Sequence, residues 1–187
     1  MKSTDSQTPF WYALKVFYRR TAALESLLGA AGYETYVPRI VVEKIEGGVH
    51  YTTQPAIASL LFVRCPESFL VGFKKDHDSD FLYYVDLATR RPGRIPDAEF
   101  DNFKAAMEIS DPEAEYLGSD TNWFKDGARV RVIEGIHKGR EGWIRRIKGR
   151  KRFIVCIEGV SAVAFQTIPP AFLEVIEPSK RQNTTSI

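Results

Sequence analysis

Apolar runs and helical repeats alternate through the first half of the chain. The stretch from Phe10, "FWYALKVFY", is rich in aromatic and β-branched residues and predicts a buried strand. A helix is predicted next, because four apolar residues recur at helical spacing: Leu24, Leu27, Leu28 and Ala31. Gly32 is placed to end this helix.

Four further strands and two further helices are predicted after it. A strand over "YETYVPRIVVEKI", with Pro38 early in it, leads to a Gly47-Gly48 hairpin signal, from which "VHYTTQ" returns. The run "AIASLLFVRC" predicts an apolar strand, "ESFLVGFKK" a short helix and "DFLYYVDL" a last strand. "IPDAEFDNFKAAMEI" predicts a helix with Phe100, Phe103 and Met107 on one face. The pattern predicts an α+β domain over residues 10–109, a mixed sheet with helices packed on it.

The last third of the chain has a different pattern, in which short strands are separated by glycine-containing turns. Its five strands are "ARVRVI", "GWIRRI", "RFIVCI", "SAVAFQ" and "FLEVIE". They predict an all-β barrel of SH3-like size over residues 124–177. Residues 110–123, "SDPEAEYLGSDTNW", have no period and predict an acidic linker. The polar ends, residues 1–9 and 178–187, are expected to be disordered.

The charge of the chain reverses between neighbouring segments. Residues 95–126 hold nine acidic and two basic residues, whereas residues 128–152 hold ten basic and two acidic residues. The net charge of the whole chain is only +2, because the two segments largely cancel each other. It favours two units with different surroundings.

No set of residues in the sequence predicts catalysis or a metal or cofactor site. His50, His77 and His137 are scattered, without zinc-ligand or nucleophile-base spacing, and are expected at the surface. Cys65 and Cys156 lie in apolar runs and are expected to be buried hydrophobes without a disulfide. We therefore expect a non-enzymatic protein with no cofactor and no metal.

The sequence also lacks a predicted membrane segment. No apolar run approaches the ~18 residues that a membrane-spanning helix needs. The polar N-terminus, "MKSTDSQTP", lacks the apolar core of a signal peptide. A cytoplasmic monomer without membrane contact is expected.

Two surfaces are candidates for binding. Tyr18, Arg19 and Arg20 follow the first strand, where arginines beside an aromatic ring can hold a nucleic-acid backbone and stack on a base. The alternative is a pair of exposed arginines that start a helix. The second candidate is a basic surface of six residues: Arg145, Arg146, Lys148, Arg150, Lys151 and Arg152. These charges could attract polyanions or could only solvate the outside of a barrel.

Both units resemble known families. The second resembles a KOW motif in its apolar alternation and glycine turn, at Val130, Val132, Gly135, Gly139, Gly142 and Ile144. The first resembles the N-terminal domain of the NusG family in the order "WYALKVFYRR", a helix, "YETYVPR", a hairpin, "PAIASLLFV" and a helix that begins "IPDAEF". The "IPD" opening and the acidic linker are most similar to the UpxY-like antiterminators of capsular polysaccharide operons.

This resemblance implies a transcription elongation factor that binds RNA polymerase and suppresses pausing and termination in specific operons. The N-terminal domain of the family docks on the clamp helices of the largest polymerase subunit and favours the pause-resistant state. The docking positions carried over are Ala13, Lys15, Phe17, Ile57, Ala58 and Leu60. Specialised members read non-template DNA through the loop after the first strand, here Tyr18, Arg19 and Arg20, and nascent RNA is a further candidate ligand.

For the second unit, the resemblance implies ribosomal protein S10 or Rho as a partner. Recognition in the family uses an apolar residue in the turn that is "IEGVS" here, where Glu158 stands. This charge argues against Rho and leaves S10 open. Two other functions are carried as alternatives: a KOW-type RNA-binding or ribosome-associated protein, and a housekeeping NusG that binds Rho.

Overall fold

A computed structural model describes residues 7–45, 49–57, 59–109, 111, 113–118 and 127–178. The chain divides into two compact units, Met1–Asp97 and Ala98–Ile187. Several predictions fall outside the described residues: the Gly47-Gly48 turn, docking residue Ala58, most of the two polar ends and half of the acidic linker.

The first unit is built from a four-stranded sheet, a separate two-stranded hairpin and two helices. Its elements in chain order are β1 (Pro9–Val16), α1 (Thr21–Ala30), β2 (Glu34–Tyr36), β3 (Arg39–Ile45), β4 (Val49–Pro55), β5 (Leu60–Pro66), α2 (Glu67–Asp76) and β6 (Phe81–Tyr83). The larger sheet has the order β2-β5-β1-β6, and β3 pairs with β4.

The larger sheet is antiparallel at every pair of its strands, so the prediction of a mixed sheet was wrong. The connection through α1 makes β1 and β2 run in the same direction. However, β5 lies between them and is antiparallel to both. β1 and β2 are therefore not neighbours and form no parallel pair.

Two predicted strands are shorter in the structure. The strand predicted over Pro38 is divided into β2 and β3, because proline has no N–H to donate to a strand ladder. The first strand ends at Val16 instead of reaching Tyr18. Tyr18 and Arg19 have φ angles of +54° and +57°, which are incompatible with an extended strand.

The core of the first unit lies between one face of the sheet and the two helices. Alternate residues of β1 and β5 point into it: Tyr12, Leu14, Val16, Leu61, Val63 and Cys65. Leu24 and Leu28 of α1 and Leu70 of α2 cover them. Leu27, predicted on the buried face of α1, is 47% exposed, because the buried stripe is the narrower set Thr21, Leu24 and Leu28.

Helix α1 ends as its sequence predicts. Gly32 has a φ of +84°, and its N–H donates to the carbonyl of Gly29 at 2.9 Å. The N–H of Tyr33 donates to the carbonyl of Leu28 at 3.1 Å. This pair of bonds is a Schellman motif, which satisfies carbonyls that the helix end leaves free.

The second unit is a six-stranded antiparallel sheet with one helix. Its elements are α3 (Asp97–Met107), β7 (Glu115–Gly118), β8 (Ala128–Val132), β9 (Glu141–Ile147), β10 (Arg150–Ile157), β11 (Ser161–Phe165), a 3₁₀ turn (Pro170–Phe172) and β12 (Leu173–Glu177). The sheet order is β12-β8-β9-β10-β11-β7. The five predicted strands are present, and the α+β class is confirmed.

Two features of this unit differ from the predicted domain boundaries. Residues 115–118 of the predicted linker form β7, which pairs with β11. From Ala98 onward, α3 belongs to the second unit, although the prediction placed it in the first. The side-chain amide of Asn102 explains this grouping, since it bonds to the carbonyl of Glu141 at 2.8 Å and to the N–H of Glu141 at 3.0 Å.

Candidate functional site

One corner of the first sheet gathers three of the predicted docking residues. The β1–β5 register places Lys15 opposite Leu60, and the N–H of Val16 donates to the carbonyl of Ser59 at 2.7 Å. Phe17 follows directly, and the carbonyl of Ile57 accepts the N–H of Leu60 at 3.3 Å. Lys15 is exposed, and Phe17 and Ile57 are half-buried. This set, Lys15, Phe17 and Ile57, is called the docking corner below.

Two other predicted docking residues are not accessible. Ala13 is 1% exposed and Leu60 is 2% exposed. β5 is buried on both faces from Leu60 to Val63, so alternation turns none of these side chains to solvent. Core packing explains why Ala13 and Leu60 are apolar. Their prediction as docking residues is therefore corrected.

The turn after the docking corner has a strained backbone. Tyr18 and Arg19 are consecutive non-glycine residues in the left-handed region, which costs about 1 kcal/mol or more each. The N–H of Arg20 donates to the carbonyl of Phe17 at 3.1 Å and closes the turn. Tyr18 is 83% exposed as a result. The turn presents the side chains of Tyr18 and Arg19 to solvent.

Arg20 has a different environment from Arg19. Its guanidinium pairs with the carboxylate of Asp80, whose other oxygen lies 3.1 Å from Nδ1 of His77. The carbonyl of Asp80 also accepts the N–H of Phe17 at 2.8 Å. The hydrogen bond from His77 and the charge of Arg20 hold the pKa of Asp80 below its ordinary value. Arg20 thus anchors the turn, whereas Arg19 makes no ion pair with any described residue.

The structure divides the predicted basic surface. Arg146, Arg150 and Lys151 are exposed, and Arg145 is half-buried. Lys148 pairs with Glu115 of β7 at 2.7 Å. Arg152 is only 9% exposed, and its placement on the basic surface was wrong. Its guanidinium donates to the carbonyls of Phe165, Ala164 and Glu113, which ties the segment before β7 to β11.

His137 is buried, which corrects its predicted surface position. The side chains of His137 and Asp111 are 1% and 0% exposed, and Nε2 of His137 lies 3.2 Å from Oδ2 of Asp111. Asp111 also accepts the N–H groups of Glu113 and Gln166, each at 2.9 Å. The histidine ring packs against the rings of two phenylalanines of the sheet: Phe153 and Phe165. No sequence spacing signalled this pair, because 26 residues separate its members.

The predicted turn glycines have separate reasons for being glycine. Gly135 and Gly139 have φ angles of +87° and +82°, a backbone region that favours glycine. Gly142 lies within β9, and a Cβ there would stand 2.3 Å from the carbonyl oxygen of Ile154 on β10. Close approach of two strands, not turn geometry, therefore requires Gly142.

Helix α3 engages the turn that the family resemblance singles out. The carboxylate of Glu99 accepts the backbone N–H of Glu158 at 3.0 Å. Burial raises the pKa of Glu99, and this effect exceeds the opposing effect of the hydrogen bond. Ionised Glu99 is therefore destabilised in the folded protein.

We expect Glu99→Gln to change how stability depends on pH. Because the folded pKa of Glu99 is raised, its contribution to stability is fully present below the unfolded pKa and is lost as pH rises through the folded pKa. The glutamine keeps an oxygen acceptor for Glu158 and does not ionise. The variant's melting temperature, relative to wild type, should therefore rise as the pH increases above the ordinary pKa of glutamate, about 4. A constant difference over this range would contradict the prediction.

The described residues contain no group of His, Cys, Asp and Glu side chains that could hold a metal ion. Both cysteines are free, and burial raises the pKa of each thiol to about 12, which suppresses the reactive thiolate. Among the described helices, none has the length and apolarity to cross a membrane.

Comparisons with known proteins give one family. A family profile described as "Transcription termination factor nusG" matches residues 9–104. A solved structure described as "Domain interaction in Thermotoga maritima NusG" is similar over 91% of this chain and 98% of that chain, with 15% identity and a TM-score of 0.48. No curated protein matches the chain significantly.

Proposed function

The chain belongs to the NusG family of transcription factors, and on this basis we propose that it is an antitermination factor that binds RNA polymerase. The docking corner carries the proposal: Lys15, Phe17 and Ile57 combine an exposed charge with two half-buried apolar side chains. The partner is the clamp-helix region of the largest polymerase subunit. Binding there favours the pause-resistant state of the enzyme without forming a covalent bond.

The strained turn supports a nucleic-acid contact beside the docking corner. Tyr18 offers an exposed ring for base stacking, and Arg19 offers a cation without an ion-pair partner among the described residues. Arg20 positions both by its bond to Asp80. The ligand is the non-template DNA strand or the nascent RNA, and its recognition restricts the factor to particular operons.

We propose a KOW domain for the second unit, with S10 as its candidate partner. Glu158 puts a charge in the turn where an apolar contact would serve Rho, and its N–H is already bonded to Glu99. Both features favour antitermination over Rho-dependent termination. The UpxY-like resemblance suggests operons of polysaccharide synthesis, and a position as the first gene of such an operon would support this assignment.

We expect Ile57→Asp to weaken polymerase binding by about ten-fold or more, because a carboxylate would be desolvated in an apolar contact. Binding is measured by pull-down of purified polymerase core enzyme with the full chain. Read-through of a terminator in reconstituted transcription should fall in parallel. Leu60 is unsuitable for this test, since its burial means that a charge there would unfold the sheet.

Leu87→Asp is the matched control. Leu87 is in the same unit, is 81% exposed and receives the same new charge. It should bind polymerase as the wild type does, and the two variants should have similar melting temperatures. Absence of binding by the wild-type protein, or equal losses in the two variants, would overturn the proposal.

A further inference from the structure

We propose that the tip of the β9–β10 hairpin is a binding site for the phosphate backbone of a nucleic acid. The site consists of Arg146 at the end of β9 and Arg150 and Lys151 at the start of β10, and is called the hairpin tip below. It lies in the second unit and is independent of polymerase docking. The inference starts from how the structure distributes the ten basic residues of residues 128–152.

Most other basic residues of this region are neutralised. Arg129 pairs with Glu141 at 3.1 Å and with Glu177 at 3.2 Å. Arg131 pairs with Glu141 at 2.7 Å and with Glu174 at 3.1 Å. Lys148 has Glu115 as its partner, and Arg152 is buried against backbone carbonyls. The high positive charge of the segment is thus much reduced along β8 and at the β11 side of the sheet.

The hairpin tip retains its charge. None of its three side chains forms an ion pair with a carboxylate in the described part of the chain. Arg146 donates to the carbonyl of Gly149 at 3.3 Å, within the turn itself. All three side chains are exposed. In the described part of this unit, the tip therefore carries a cluster of three exposed cations that no carboxylate neutralises.

The register of the hairpin adds a second observation. Arg146 stands directly opposite Lys151 across the two strands. Directly opposed like charges destabilise an antiparallel pair, since their Cβ atoms are only about 5 Å apart. The chain maintains this arrangement at its own cost, and a bound polyanion would relieve it. This is the pattern expected of a site that is completed by phosphate groups.

The partner is a phosphate backbone and not a protein surface. Protein interfaces centre on apolar and aromatic residues with a polar rim. In the hairpin from Arg145 to Arg152, the large apolar side chain is Ile147, which is buried. Without an exposed aromatic ring, the tip offers no base-stacking platform. It therefore fits a ligand that is recognised by its backbone charge, with little dependence on sequence.

The test compares two triple variants of the full chain with equal loss of charge. The first is Arg146→Gln, Arg150→Gln and Lys151→Gln. The second is Lys75→Gln, Arg90→Gln and Lys138→Gln, three exposed residues elsewhere on the chain. Binding to a labelled single-stranded RNA and to a labelled DNA duplex is measured by fluorescence anisotropy between about 50 and 200 mM salt.

For the hairpin-tip variant we expect the slope of log affinity against log salt to become shallower by about 2 to 3 on duplex DNA and by about 2 on RNA. The affinity at the lowest salt should fall by about ten-fold or more. The control triple should change neither quantity comparably. A selective loss on RNA identifies the transcript as the ligand, and a selective loss on duplex identifies the DNA.

Equal effects of the two triples, or an unchanged slope on both nucleic acids, would overturn the proposal and leave an acidic protein surface as the alternative partner. Polymerase pull-down by the hairpin-tip variant should equal that of the wild type, which separates this site from the docking corner. The melting temperature of the hairpin-tip variant should not fall, because the substitutions remove like charges that face each other. A loss of nucleic-acid binding at an unchanged melting temperature is therefore not caused by unfolding.

Discussion

Gly142→Ala should lower the free energy of unfolding of the second unit by about 3 kcal/mol. The added Cβ would stand 2.3 Å from the carbonyl oxygen of Ile154 and 2.7 Å from the ring of Phe153. The first contact is with backbone, so β9 and β10 must separate to relieve it. Phe153 is fully buried, and its ring has no free space to enter. Urea unfolding, read together with hydrogen exchange of β9 and β10 peptides, measures the effect.

Gly139→Ala is the control for this prediction. A Cβ at Gly139 would meet nothing within 4 Å, but its φ of +82° is unfavourable for alanine. Its expected cost is about 1 kcal/mol, which comes from backbone conformation alone. If Gly142→Ala cost no more than Gly139→Ala, close strand approach would not be the reason for glycine at position 142.

Asp111→Ala should also destabilise the second unit by about 3 kcal/mol. The substitution leaves the buried imidazole of His137 without its carboxylate and removes the acceptor of the N–H groups of Glu113 and Gln166. Burial prevents water from replacing these bonds without rearrangement. Protection of β7 and β11 against hydrogen exchange should fall with the global stability.

Two further variants serve as controls for Asp111→Ala. Asp101→Ala removes an exposed carboxylate from α3 and should change stability by no more than about 0.5 kcal/mol. Asp111→Asn keeps an oxygen acceptor and should cost less than Asp111→Ala. A cost for Asp111→Ala as small as that for Asp101→Ala would show that the buried pair contributes little.

The elements of the fold were largely predictable because each has a local signal. Apolar runs located β1, β5 and β10, Gly32 located the end of α1, and the glycine spacing located the turns of the second unit. Gly142 was predicted as a turn residue, and its actual role depends on Ile154, which is distant in sequence. Local patterns therefore gave the correct residue but not the neighbouring strand that its Cβ would meet.

Long-range partners account for most of what the sequence could not predict. β7 is a strand only because β11 offers it an edge, and its own composition is that of a linker. From the sequence, Arg152 is predicted to be a surface charge. Only the fold places the carbonyls of Phe165 and Glu113 where its guanidinium donates to them. His137 likewise acquires its partner only through folding. Such contacts leave no periodicity in the chain.

For the candidate site, the sequence suggested which residues to consider, but it did not predict their backbone conformation or their burial. Tyr18 and Arg19 were predicted to bind nucleic acid from their chemistry and position. Neither residue type indicates a left-handed backbone, so the turn geometry was not predicted. Ala13 and Leu60 lie on the same sheet face as Lys15, yet burial on both faces of β5 cannot be derived from alternation. Of the predicted docking residues in the described part of the chain, those of the docking corner are the ones that solvent can reach.

Strand β7 also determines how the protein can be dissected. A fragment that began at residue 124 would match the predicted domain boundary but would lack β7, Asp111 and α3. The row of N–H and C=O groups on β11 that β7 pairs with would then be open to a second copy of the fragment, which favours aggregation. A fragment that began at Ala98 would retain its own edge strand. In the full sheet this edge is instead β7, with only 4 residues, and such short edge strands limit pairing with other chains.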